Sequence, residues 1–109
     1  MVQTAPEITS EIALKDPWLA LLTFRHMVTP IRKVDAIVAR GHDWGLEVWT
    51  LVHHSNVDVR QVLADRQWEL MRMYPDLDVN FHILDRLDTP LESFLLPTEY
   101  DFFIRVRPV

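Results

Sequence analysis

Between Val34 and Arg86 the hydrophobic rhythm of the chain changes from strand to strand to helix to strand, and that order restricts the fold more than any other feature. Val34-Asp-Ala-Ile-Val-Ala-Arg40 and Leu46-Glu-Val-Trp-Thr-Leu-Val52 are apolar runs rich in β-branched residues, and they flank the turn-like Gly41-His-Asp-Trp-Gly45. Asp58 to Tyr74 has helical spacing, and Val79-Asn-Phe-His-Ile-Leu84 is strand-like again. Gly41 and Gly45 are the only 2 glycines in the sequence. Their concentration in one connection marks a hairpin with backbone free to take positive φ. A helix joining the second and third strands requires those strands to be parallel, with a right-handed crossover.

The flanking segments extend this unit. Asp16-Pro17 predicts a helix start, because Asp caps free amides and Pro at the first helical position loses no bond. That helix runs from about Pro17 to Met27, and Trp18, Leu19, Leu21, Leu22 and Phe24 leave it so few polar positions that packing on more than one side is expected. Thr29-Pro30 ends it. The second helix follows Ser55-Asn56, either of which can cap it, and has an apolar face of Val59, Val62, Leu63, Leu70, Met73 and Tyr74 widened by Trp68. Glu69 and Arg72 are spaced for a surface pair. Thr89-Pro-Leu-Glu92 matches a capping box and predicts a short helix to about Leu95, and Tyr100 to Arg107 predicts a terminal strand. The fold class is therefore α+β: a single two-layer domain over 16–109, with a helix-strand-strand-helix-strand core and a mixed sheet carrying its helices on one face. Residues 1–15 read as a mobile or loosely packed lead-in.

Alternation along the second strand puts Glu47, Trp49, Leu51 and His53 on one face and Leu46, Val48, Thr50 and Val52 on the other. The third strand likewise opposes Val79, Phe81 and Ile83 to Asn80, His82 and Leu84. One face of the sheet is thus uniformly apolar and the other mixes Trp, His, Leu and Glu. The loop tip adds His42, Asp43 and Trp44.

Composition removes several function classes. The formal charge is −5, and the 11 Lys and Arg are scattered. Nucleic-acid binding, which requires clustered cations, is not expected. With 0 Cys there are no disulfides, thiolate metal sites or cysteine nucleophiles. No apolar run reaches the roughly 18 to 20 residues of a membrane span, and the first ten residues lack signal-peptide character, so a cytoplasmic location without membrane contact is the expectation. Ser10, Ser55 and Ser93 sit outside any nucleophile-elbow pattern, and two glycines allow neither a P-loop nor GxGxxG. No catalytic residue and no cofactor are assigned.

Histidines supply the remaining chemistry. His53, His82 and Glu47 share the mixed face if their strands are neighbours, which makes them the residues to consider for a metal, although no spacing among the five histidines matches a ligand motif. The order of elements, with Ala39-Arg40-Gly41 in the loop, Glu47 on the second strand and Asp78-Val79 at the third, resembles the minimal nucleotidyltransferases. That resemblance implies phosphate transfer with metal bound by a paired acid motif. Here no Gly-Ser turn exists and Trp49 stands at the second acid's place, so it extends to a divergent or degenerate relative. The same order is similar to ferredoxin-like modules. The run from Glu-Val-Trp-Thr-Leu-Val to Pro-Asp-Leu-Asp-Val-Asn-Phe-His-Ile resembles small bacterial α+β proteins classed as domains of unknown function, which implies no activity.

What remains is apolar patterning without a catalytic constellation. It predicts a non-catalytic module that associates with itself, as a homodimer, or with another protein through Glu47, Trp49, Leu51, His53, His82 and Trp44. Metal or small-ligand binding on the His-bearing face is the alternative.

Overall fold

The computed structural model describes residues 16–94 and 99–107; the lead-in 1–15 lies outside them. Two helices and four strands follow in the order α1 (Pro17–Val28), β1 (Val34–His42), β2 (Gly45–Val52), α2 (Val57–Met73), β3 (Val79–Asp85) and β4 (Phe102–Arg105), with one 3₁₀ turn at Leu91–Ser93. The strands form one mixed sheet in the order β3-β2-β1-β4. β1 is antiparallel to β2 and to β4, whereas β2 and β3 are parallel across the α2 crossover. The α+β class and the single domain are as the sequence implies, and the two helices lie on one face.

Local chemistry explains the helix ends. Asp16 accepts from the Trp18 amide at 2.9 Å, with Pro17 behind it, and Asn56 accepts from the Val59 amide at 2.9 Å. Leu21, Phe24 and Val28 of α1 and Leu63 and Leu70 of α2 pack on Val34, Ile37, Ala39, Val48 and Val52 in one fully buried core. Burial of a residue such as Phe24 contributes roughly 2 to 3 kcal/mol.

Several expectations are corrected. α1 packs on one side, not several: Trp18, Leu19 and Leu22 are exposed. Trp68 is 63% exposed and widens no buried face. Glu69 pairs with Arg66, not Arg72. The hairpin is tighter than the two glycines suggest, because pairing continues to His42↔Gly45 and leaves Asp43-Trp44 as the turn. Only Gly45 needs to be glycine: its φ is +153° and a Cβ there would lie 2.1 Å from the Asp78 carbonyl oxygen, whereas a Cβ on Gly41 would meet ordinary contact. The capping box at Thr89 does not form. Thr89 instead donates its amide to the Arg86 carbonyl and accepts from Arg86 Nη1, and Pro90 precedes the 3₁₀ turn without a side-chain cap.

The mixed face receives a cover that local pattern does not reveal. β3 and β4 are the two outer strands, so the segment between them must pass from one edge to the other. Its Leu91 and Phe94 pack with Trp49, Leu84 and Phe103 over the buried Ala36, Val38 and Leu51. One half of the face is thereby closed, and the half beside the hairpin is not closed by these residues.

Candidate functional site

At the half beside the hairpin, three strands converge on Glu47. His42 ends β1, Glu47 is the third residue of β2, and His82 lies in β3 diagonal to it, since Glu47 pairs with Asn80 and Trp49 with His82. His42 and Glu47 are likewise diagonal across the hairpin, within reach of long side chains. His42 Nε2 donates to Glu47 Oε1 at 3.0 Å and His82 Nε2 donates to Oε2 at 2.8 Å. Both carboxylate oxygens are therefore engaged, one by each imidazole. The bond from His42 is the largest influence on Glu47 and holds its carboxyl below the usual 4.5; partial burial opposes it, and the bond and charge of His82 reinforce it.

Each imidazole is backed by an indole. His82 stacks on Trp49 with ring centroids 5.3 Å apart, and His42 stacks on Trp44 at 4.8 Å and only 10° from parallel. Stacking fixes the ring planes, so the Nε2 atoms stay aimed at the carboxylate. Trp44, at the turn, is 49% exposed. It borders a cleft of about 250 Å³ that it shares with Asp43, Asp76 and Asp78. Close by, Arg40 pairs with Glu99 at 2.9 Å and the Gly41 amide donates to Asp101 at 2.7 Å. Carboxylates thus dominate the hairpin end, with an exposed indole among them.

The residues singled out from sequence divide into two groups. Glu47, Trp49, His82 and Trp44 come together at this end. Leu51 is fully buried under the crossing segment, and His53 lies at the opposite end of the sheet, where its Nδ1 contacts Asp35 at 3.0 Å. The trio His53, His82 and Glu47 is therefore not assembled. Among the described residues, no group of three or more His, Asp or Glu has the arrangement of a metal site. His42 is the member that alternation alone did not assign; its signal is the register, because a two-residue turn places it diagonal to Glu47.

The opposite end has its own carboxylates. The β1–β2 register slips between Val34 and Ala36. This bulge lets Asp35 reach the mixed side while Val34 stays in the core. Asp35 also accepts from Arg86 Nε at 2.7 Å. Asp85 binds the amides of His54, Ser55 and Leu87 at 2.9 Å each, and the Ser55 hydroxyl at 3.0 Å. Burial would raise Asp85, but the amides of Leu87 and Ser55, with the Ser55 hydroxyl and the His54 amide, outweigh it and bring the carboxyl from 3.8 to about 2. Among the described residues, His54 and Leu87, at φ 49° and 52°, are the non-glycine residues with positive φ. Asp85 thus ties down both turns that depart from regular backbone.

On the helical face, a groove of about 520 Å³ between α1 and α2 is lined by Met27, Ile31, Val59 and Val62 with His26 and Arg66 at its edge. None of Glu47, Trp49, Leu51, His53, His82 and Trp44 borders it.

No protein-family model matches the chain, and neither a curated protein nor a solved structure is significantly similar to it. The geometry of the site stands on its own. No described helix is long and apolar enough to cross a membrane.

Proposed function

We propose that this protein is a non-catalytic association module that recognises a basic protein surface through its hairpin end. The observation that carries the reading is the platform around Glu47: two stacked indole–imidazole pairs hold one carboxylate, and an exposed Trp44 rises from a cleft bearing Asp43, Asp76 and Asp78. An exposed indole beside carboxylates suits a Lys or Arg side chain, which gains both charge pairing and contact with the ring face. Tryptophans in such settings carry a large share of binding energy. A second copy of this chain fits the description through its opposite end, where Arg86, Arg105 and Arg107 lie. The nucleotidyltransferase-like alternative has less support. Both oxygens of Glu47 accept from imidazoles, and β2 carries no second acid.

Titration with a lysine- and arginine-rich peptide tests the reading. Amide signals of Asp43, Trp44 and Asp78 should shift, salt should weaken the binding, and Trp44→Ala should weaken it about tenfold or more. A concentration-dependent sedimentation coefficient, abolished by the same substitution, would identify the partner as a second copy. Peptide binding that leaves the hairpin signals unmoved, or that survives Trp44→Ala unchanged, overturns the proposal.

A further inference from the structure

Independently of the hairpin end, the far end of the mixed face contains a pocket of about 240 Å³ where Pro90–Glu92 crosses the ends of β1 and β4. Asp35, Arg86, Leu91, Glu92, Arg105 and Arg107 line it. Three arginines lining one small cavity are unexpected in a chain of net charge −5 whose 11 cationic residues are scattered in sequence. The pocket is smaller than the roughly 300 to 1,000 Å³ of sites for drug-sized ligands, which matches a single charged group better than a whole cofactor.

Two of the guanidiniums are anchored by the protein and keep nitrogens to spare. Arg86 spends Nε on Asp35 at 2.7 Å and Nη1 on the Thr89 carbonyl at 2.9 Å. Arg107 spends Nε on the Arg32 carbonyl at 3.1 Å and Nη2 on the carbonyls of Thr29 and Ile31 at 2.5 Å each. Among the described residues, Nη2 of Arg86 and Nη1 of Arg107 have no acceptor. The side chain of Arg105 has none at all; only its carbonyl is used, by Arg25 Nε at 3.0 Å. The carboxylates do not cancel this charge equally. Asp35 is consumed by Arg86 and His53, which leaves Glu92 at the rim as the internal competitor.

Anchored forks with unspent donors are suited to an oxyanion, because planar guanidinium binds two oxygens at once and prior orientation lowers the entropy lost on binding. We propose that this pocket is an oxyanion site for a phosphate group, held by Arg105 with Arg86 and Arg107. The phosphate arrives either as a free ion or on a phosphorylated side chain of a partner.

Inorganic phosphate and a phosphoserine peptide, each titrated against chloride at matched ionic strength, test the site. Phosphate should shift the side-chain Nε–H signals of Arg86 and Arg105 and raise the melting temperature beyond the chloride control. Arg105→Ala removes no bond made by that side chain within the described protein, so it leaves the fold intact, and it should weaken binding about tenfold or more. Glu92→Gln should tighten it. The tighter of the two ligands identifies the source. Phosphate acting no differently from chloride, or binding equally to Arg105→Ala and wild type, overturns the assignment.

Discussion

Glu47 and Asp35 occupy opposite ends of one sheet face, and each is held by an imidazole and one further donor. Glu47 takes His42 and His82, both side chains on strands and both backed by indoles. Asp35 takes His53 and Arg86, beneath the segment that crosses the sheet. Around Glu47 acids outnumber the single Arg40, which Glu99 pairs, and around Asp35 three arginines outnumber Glu92. The difference follows from the route of the chain between β3 and β4, whose described residues close the Asp35 end with Leu91, while around Glu47 the described packing is aromatic, from Trp44 and Trp49. One surface thus carries two chemistries of opposite sign because a single connection divides it.

The largest expected effect breaks one end and spares the other. In Gly45→Ala the new methyl would lie 2.1 Å from the Asp78 carbonyl oxygen, which also accepts the Leu46 amide at 2.8 Å, and φ at this position is +153°. Backbone must move, separating β2 from β3 where the Glu47 platform begins. Stability should fall by about 3 kcal/mol or more in urea unfolding, and peptide binding at the hairpin should be lost. The folded remainder should still shift with phosphate at Arg105. Gly41→Ala, whose methyl meets only Asp101 at 3.5 Å, is the control and should change little.

The two ends were not equally legible. Alternation in Leu46–Val52 and Val79–Leu84 separates the faces correctly, and Asp16-Pro17 and Asn56 mark both helix starts, because capping and alternation are set by neighbours in sequence. The Glu47 end follows from these local rules once the turn is known to be two residues; the Gly41–Gly45 spacing suggested a longer loop and hid the His42–Glu47 diagonal. The Asp35 end depends on long-range partners. Nothing local announces that a bulge turns Asp35 toward Arg86, or that Arg86 takes up the Thr89 backbone and so forestalls the capping box. The arginines look scattered at positions 86, 105 and 107 and meet only because β4 returns beside β1. Trp18 and Trp68 stay exposed for a related reason: apolar content on a helix indicates a buried face only when the sheet beneath is wide enough to cover it.

A smaller effect sharpens the contrast between a carboxylate held by backbone and one held by side chains. Asp85 receives three amides and a hydroxyl from the turns on either side of it, so Asp85→Ala leaves those donors without their anion. A loss of about 2 to 3 kcal/mol is expected. Its carboxyl is lowered in the folded state from 3.8 to about 2, so the ionised form is the stabilising one. Its contribution is complete above the unfolded value and disappears as pH falls through the interval between them. Wild-type stability measured from pH 5 to pH 2 should therefore decline more steeply than that of Asp85→Ala; parallel curves would show that the amide bonds do not set the acid response.

Glu47→Gln should give the smallest change, and its smallness is informative. The carboxylate is partly exposed, its partners are side-chain rings and not backbone, and exposed charge pairs contribute less than about 1 kcal/mol. Glutamine keeps one carbonyl oxygen for one imidazole but presents an amide N–H to the other, so one ring must change tautomer or rotate away from its indole. Because Glu47 is lowered from 4.5 in the folded protein, its contribution is present above that value and fades on acidification, and Gln removes that component without touching the one from Asp85. Unfolding curves at neutral pH should nearly coincide with wild type, while the ring signals of His42 or His82 move and the affinity for a basic peptide falls with the lost charge. A stability loss as large as that of Asp85→Ala would mean that the Glu47 platform is structural, and that the hairpin half of the sheet is held together by the same kind of bond as the Asp85 half.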